Sequence, residues 1–214
     1  MRFGLVEWAL LIVVSGIASA APSAVSIVGS EQMNFEIALA LGALLYMVVD
    51  MVAPWLVLRR CVDDLRLTRW LLANALGNAL AAVFGHLPFV LLRSRGAGSL
   101  WFLDGLDRTQ LLTSIAWGAA YYLPPGLLLQ RLTGVGAWPF IAAGAISGPI
   151  VMSVFPLLWG SIPARSLLAS FSEVTGGTGF RASLGFAFGA TNALILGAGL
   201  FLMTRLHTRS AVAP

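Results

Sequence analysis

Apolar residues fall in six long runs along this chain, and most polar residues lie in the shorter segments between those runs. A helix needs about 20 apolar residues to cross the ~30 Å hydrocarbon core of a bilayer, and each run has roughly that length. The pattern therefore predicts an all-α, polytopic integral membrane protein with about six transmembrane helices. The predicted spans are 4–28, 35–58, 70–92, 110–130, 136–160 and 181–204.

Composition supports a lipid environment. Of 214 residues, 58% are hydrophobic and only 10% are charged, whereas soluble domains average about 25% charged residues. No segment between the runs is long enough for a separate domain, so residues 1–214 are predicted to form a single transmembrane domain. The N-terminal run imitates a cleavable signal peptide at Ala18-Ser19-Ala20, but it continues to Val28. Its length favours an uncleaved first span over a removed leader.

Arginine positions predict the orientation. Four arginines occur between the second and third spans, at positions 59, 60, 66 and 69, and the positive-inside rule places that loop in the cytoplasm. Alternating spans then place both termini in the cytoplasm, in a bacterial inner membrane. The net charge of +4 does not indicate nucleic-acid binding, because the arginines lie singly or in pairs at span ends. Trp8, Trp55, Trp70 and Trp138 are expected at the cytoplasmic interface.

Small residues recur at four-residue spacing in two of the spans, which places them on one helix face. Such ridges allow close backbone contact, the main source of helix association in lipid. We therefore predict helix-packing roles for the glycines of these ridges. The ridge of the third span contains Ala73, Gly77, Ala81 and Gly85, and that of the last span contains Gly185, Gly189, Ala193 and Gly197.

Polar residues also occur inside predicted spans. An aspartate near the bilayer centre costs about 2.5–3.5 kcal/mol on insertion scales, so its presence favours a function. If spans two and three form a hairpin centred near residue 64, Asp50 lies level with Asn78. Asn192 of the last span is predicted to form an interhelical hydrogen bond. The candidate path for a small solute or proton comprises Glu36, Tyr46, Asp50, Asn74, Asn78 and His86.

Three local features complete the prediction. The tandem prolines Pro124-Pro125 mark the expected break in the fourth span. An interfacial helix followed by a glycine hinge around residues 176–179 is expected before the last span. The charged loop 59–69 is interpreted either as a short surface helix satisfied by its own ion pairs or as a contact for anionic headgroups or a partner.

Several chemistries are disfavoured. Cys61 is the only cysteine, so an internal disulfide is excluded. The two histidines are not predicted to form a metal or haem site. Ser147 has no histidine on a later span to serve as its base, so no catalytic residue, cofactor or metal is predicted. The leading hypothesis is a non-enzymatic transport protein or permease subunit for a small solute or ion, with proton-linked transport as one form of it. The alternative is a non-catalytic subunit that scaffolds a larger complex, with a partner subunit or a homo-oligomer in the lipid bilayer.

Overall fold

All regular structure in the described residues is helical, so the predicted all-α class is confirmed. The computed structural model describes residues 3–32, 51–86, 108–160 and 162–210. A π-helical turn, Ala82–His86, follows the third helix. The helices are α1 (Leu5–Gln32), α2 (residues 51–58), α3 (Leu67–Ala81), α4 (Arg108–Thr133), α5 (Trp138–Gly160) and α6 (Ile162–Ser210).

Within the described residues, one helical stretch, Ala182–Leu206, is both long enough and apolar enough to cross a membrane. Two shorter helical stretches, Leu5–Ala20 and Trp138–Ile150, are also apolar. A polytopic chain with six crossings therefore stays a prediction.

The helices pack side by side, and α1 and α6 run in opposite directions. Helix α6 contacts both α1 and α5, α5 contacts α4, and α4 contacts α3. The direction of α1 against α6 follows from two contacts: the Trp8 indole donates to the Leu194 carbonyl over 3.0 Å, and Gly16 lies against Phe186. Advancing along α1 therefore means moving back along α6, as expected for helices that run in opposite directions.

The start of α1 is stabilised by its own sequence. The Gly4 amide donates to the Glu7 carboxylate over 2.9 Å, which satisfies one backbone donor at the helix N-terminus. An acidic residue in the first turn also interacts favourably with the helix dipole. Glu7 is therefore explained by local helix capping.

The charged loop forms turns instead of a surface helix. Residues 59–64 are turns and a bend, and Asp64 has a left-handed backbone with φ of 61°, a conformation that aspartate tolerates better than most residues. Cys61, Val62 and Leu65 are buried beneath the exposed charges. The Trp55 indole donates to the Leu65 carbonyl over 3.0 Å, so the loop is attached to the bundle end.

The register of α2 against α3 differs from the hairpin estimate. The Trp70 indole donates to the Met51 carbonyl over 2.7 Å, whereas a hairpin centred at residue 64 pairs Met51 with residue 77. Helix α2 ends before the turns at 59–64, and this moves the centre of the hairpin toward residue 60. Trp70 is consequently only 2% exposed, and its indole is bonded inside the bundle instead of facing headgroups.

Helix α6 is longer than the last apolar run. It begins at Ile162 and continues through the glycines at 176, 177 and 179 without interruption, so the expected hinge is absent from this part of the chain. A helical glycine costs about 1 kcal/mol relative to alanine. That cost is small enough for the cooperativity of a long helix to overcome.

The tandem prolines also lie inside a continuous helix. Helix α4 runs from Arg108 to Thr133 through Pro124 and Pro125, so the expected break does not occur. Pro125 has no amide hydrogen to donate to the Tyr121 carbonyl one turn earlier. That carbonyl oxygen lies directly against Gly77 of α3, where the absence of a side chain permits the two backbones to touch.

Candidate functional site

A cavity of about 30 Å³ lies where all six helices meet. A space of this size holds about two water molecules, because one water needs roughly 10–15 Å³ of such volume. Most of its wall is apolar or aromatic, and no charged side chain lines it among the described residues. The lining residues are Leu11, Ser15, Pro54, Leu58, Trp70, Asn74, Tyr121, Tyr122, Phe140, Asn192, Ala193, Leu196 and Leu200.

Asn74 contributes a buried carboxamide from α3. Its side chain is 3% exposed, and its Nδ2 donates to the Trp70 carbonyl over 2.8 Å. The Trp70 indole is itself held by Met51, so this bond fixes the carboxamide relative to α2 and α3. Among the described residues, no donor reaches the Asn74 Oδ1, and that oxygen is left available to the cavity.

Asn192 contributes a second carboxamide from α6. Its Nδ2 donates to the Tyr122 hydroxyl of α4 over 2.9 Å, so the interhelical hydrogen bond predicted for Asn192 is confirmed. Within the described part of the chain, the Asn192 Oδ1 likewise accepts no hydrogen bond. The two asparagines therefore have the same arrangement, in which the nitrogen is bonded to the protein and the oxygen has no protein donor.

Ser15 adds a hydroxyl from α1. The residue is 5% exposed and lines the same cavity. A helical serine commonly donates to the carbonyl one turn earlier, but in the described residues Ser15 makes no hydrogen bond. Ser147 shows the usual arrangement, because it is 2% exposed and donates to the Gly144 carbonyl over 2.9 Å. Ser147 thus has a structural role in α5.

Aromatic rings hold the wall of the cavity in place. Trp117 stacks on Tyr121 with centroids 5.4 Å apart, and Tyr121 meets Tyr122 edge to face at 4.7 Å. Tyr122 in turn meets Phe140 edge to face at 5.5 Å. Such pairs each add about 0.5–1.5 kcal/mol beyond area burial. The Tyr122 hydroxyl is therefore presented to Asn192 by a ring with little freedom to move.

The predicted path residues are distributed unevenly. Asn74 lines the cavity, whereas Asn78 is half-buried one turn away and donates to the Asn74 carbonyl over 3.2 Å. The backbones of His86 and Gly85 lie in the π-helical turn. Such turns are rare in proteins, and those that occur are often found at functional sites. Glu36, Tyr46 and Asp50 lie outside the described residues.

Three of the predicted packing glycines lie at close helix contacts. An added Cβ on Gly77 would meet the Tyr121 carbonyl, and one on Gly189 would meet the Ser15 carbonyl and the Ser19 side chain. An added Cβ on Gly197 would meet the Trp8 indole. Gly185 is buried in α6. The contacts of Gly189 and Gly197 set the separation between α1 and α6.

Ser15, Trp70 and Tyr122 were not among the predicted site residues. Serine and tyrosine inside apolar runs cost little in lipid, so their presence alone gives no signal of a site. Trp70 was assigned to the interface by its position at a span end. Only the packing of α1, α3, α4 and α6 brings these residues to one cavity.

Outside the cavity, the surroundings of Cys61 do not activate its thiol. Burial raises the pKa of the Cys61 thiol to about 11, the Glu7 carboxylate adds to the rise, and Arg60 opposes it. A thiol with such a pKa is almost entirely protonated and unreactive near neutral pH.

Comparison of the chain with protein-family models, curated proteins and solved structures gives no match.

Proposed function

We propose that this chain is a compact multi-pass protein of the bacterial inner membrane that moves a small solute or ion as a transport protein or permease subunit, with proton-linked transport as one form of this function. The observation that carries the proposal is the exposure of large apolar side chains on several helices, together with polar side chains from three helices at one internal cavity of an otherwise apolar core. A soluble monomer rarely exposes large contiguous apolar patches.

The outward faces of the helices support a lipid environment. On α3, Leu72 and Leu76 are 71% and 55% exposed, although they are one turn apart and could share a core in water. On α1, Val6, Val13 and Ile17 are likewise exposed. Contiguous apolar surface on several helices is the surface that hydrocarbon chains solvate.

The interior supports a transport role. Ser15, Asn74 and Asn192 come from three helices and converge on one cavity, and buried polar groups without protein partners are costly unless a ligand or water satisfies them. Asp50, which we propose as the charge-bearing residue of the path, lies in the predicted span 35–58 and outside the described residues. Polar and ionisable groups at membrane depth are a functional hypothesis by default.

The orientation proposed from sequence agrees with the exposed charges. Arg59, Arg60, Arg66 and Arg69 are all exposed, and they lie at the bundle end that also contains Glu7 beside Cys61. An exposed basic end is suited to the anionic cytoplasmic headgroups. The start of α1 therefore lies at the same bundle end as the loop between α2 and α3, and the proposal assigns that end to the cytoplasm.

The alternative function is that of a non-catalytic subunit in a larger membrane complex. The observation that favours it is the small size of the cavity, since about 30 Å³ does not admit an organic solute without movement of the helices. The same apolar outer faces that suit lipid would also suit helices of a partner.

The variant Asp50→Asn distinguishes the two functions. Purified protein in liposomes containing a pH-sensitive dye is expected to dissipate an imposed proton gradient, and Asp50→Asn is expected to remove that flux while the thermal midpoint stays unchanged. Asp64→Asn is the matched control, because Asp64 is exposed in the turns and asparagine also tolerates its left-handed backbone. Parallel loss of stability and assembly in Asp50→Asn, without any wild-type flux, would instead support the scaffold.

A further inference from the structure

We propose that the cavity binds a neutral molecule of the size of water through Ser15, Asn74 and Asn192, and that a neutral hydrogen-bond donor of this size is the substrate class of the protein. The binding site stands on the cavity alone. The assignment of substrate class rests on the proposed transport function.

The chemistry of the three groups selects a hydrogen-bond donor. Both carboxamide nitrogens already donate to the protein, Asn74 to the Trp70 carbonyl and Asn192 to the Tyr122 hydroxyl. The two Oδ1 atoms have no donor within the described residues, and neither does the Ser15 hydroxyl. A molecule with at least two O–H or N–H groups has one donor for each of the two oxygens, and water and ammonia both fit this description.

Burial makes an empty cavity unfavourable. Asn74 and Ser15 are 3% and 5% exposed, so little bulk solvent reaches them. Leaving a buried acceptor unbonded costs about 1–3 kcal/mol, whereas a buried water normally makes about three hydrogen bonds. The polar groups present therefore match the number that one bound water requires.

The wall sets the size and charge of the ligand. Trp70, Tyr121, Tyr122 and Phe140 line the cavity with rings, and the volume of about 30 Å³ is too small for sugars and amino acids. The described lining contains no carboxylate or cationic side chain. A fully charged ligand would thus lose its hydration without gaining a counter-ion, and this favours a neutral one.

The first part of the test measures occupancy. A structure of the wild-type protein in lipid, at a resolution that shows ordered water, is expected to contain density within hydrogen-bonding distance of Asn74 Oδ1, Asn192 Oδ1 and Ser15 Oγ. The variant Asn74→Leu is expected to lose that density. Thr68→Leu is the control, because Thr68 is exposed on the same helix and does not line the cavity. A dry wild-type cavity would overturn the proposed site.

The second part of the test measures flux in liposomes and separates the two donors. Osmotic shrinkage in a stopped-flow instrument reports water, and alkalinisation of an internal pH dye after addition of ammonium chloride reports ammonia. Either flux above that of protein-free liposomes, lost in Asn74→Leu and kept in Thr68→Leu, supports the substrate class. If Asn74→Leu does not fold, Ser15→Ala replaces it, with Ser147→Ala as its control.

The combined results distinguish failure of the site from failure of the proposed function. An occupied cavity without water, ammonia or proton flux supports the binding site and overturns the transport function. A dry cavity in a protein that still dissipates a proton gradient overturns the site and its substrate class, and it leaves transport supported. A dry cavity without any flux overturns both.

Discussion

Tyr122 belongs to two regions that differ in how they are packed. Its ring lies directly over Gly144 in the contact between α4 and α5, which we term the α4–α5 seam, and there is no space for even a methyl group on that glycine. Its hydroxyl accepts a hydrogen bond from Asn192 at the cavity. One side chain thus joins a closely packed contact to a site that has unfilled volume.

The difference between these regions indicates where stability and activity arise. In the α4–α5 seam, backbone contact through Gly118 and Gly144 contributes van der Waals energy, which is the main source of helix association in lipid. At the cavity, Ser15 and Asn74 are buried without full hydrogen bonding. Polar groups in such a state are retained at a cost in stability where they have a function. Variants of the two regions should therefore separate folding from flux.

The largest effect is expected at the contact between α1 and α6. Gly189→Leu places a branched side chain where a Cβ already overlaps the Ser15 carbonyl and the Ser19 side chain, and overpacking of this kind costs about 1–3 kcal/mol or more. We expect loss of the folded, monodisperse peak in size-exclusion chromatography. Ala187→Leu, on the exposed face of the same helix, should leave that peak intact. Equal behaviour of the two variants would show that α1 and α6 are not in close contact.

A smaller effect is expected in the α4–α5 seam. Gly144→Ala should displace the Tyr122 ring and lower stability by about 1–2 kcal/mol, measured as a fall in thermal midpoint. The matched control is Gly148→Ala on the same helix, whose added Cβ would lie 3.4 Å from the Ser114 carbonyl, an ordinary contact. Because Tyr122 joins the two regions, Gly144→Ala should also reduce flux. Reduced stability with full flux would mean that the two regions are independent.

The smallest effect concerns Cys61, in the buried turns at the bundle end. Its folded pKa of about 11 exceeds the ordinary value of 9.0, so the folded state keeps the proton to higher pH than the unfolded state. The stabilising contribution of the protonated Cys61 thiol is fully present below pH 9 and is lost as the pH rises through about 11. Alkylation at pH 8 should be about 100-fold slower in folded than in denatured protein, because the thiolate fraction falls tenfold for each pH unit.

Two measurements contradict this expectation for Cys61. Rapid alkylation of the folded protein would show that the turns are open and that the thiol is hydrated. A wild-type protein and a Cys61→Ala variant with the same loss of stability between pH 9 and 11 would show that the thiol is not the group responsible. Either result would contradict the raised pKa that burial in these turns gives the Cys61 thiol.

The sequence predicts the helices better than their contacts. The bounds of α4 and α5 differ from the predicted spans by at most three residues, because apolar runs and a turn at Gly134 with φ of 70° define them. The length of α6 was underestimated, since glycine content and polarity before residue 182 are local signals, whereas helix continuity is cooperative. The π-helical turn Ala82–His86 has no sequence signature.

Sequence reasoning could identify two of four functional residues at the cavity, the two asparagines. Asn74 was selected because an amide in an apolar run is unusual, and Asn192 was expected to bond across helices for the same reason. Ser15 and Tyr122 could not be selected, because such residues are tolerated on any helix face. Their relevance depends on the register of four helices, and a shift of one turn would separate them.

The pairing of α1 with α6 also determines how long α1 waits for its partner during synthesis. Trp8 and Leu194, which share a hydrogen bond, are 186 residues apart in the chain. At about 5–20 residues per second, a ribosome makes the first helix roughly 10–40 s before its partner. During that interval the face that will bury Ser15 and Ser19 has no neighbour from its own chain. Biogenesis of this protein thus includes a waiting period in which the translocon, a chaperone or lipid must cover the first helix.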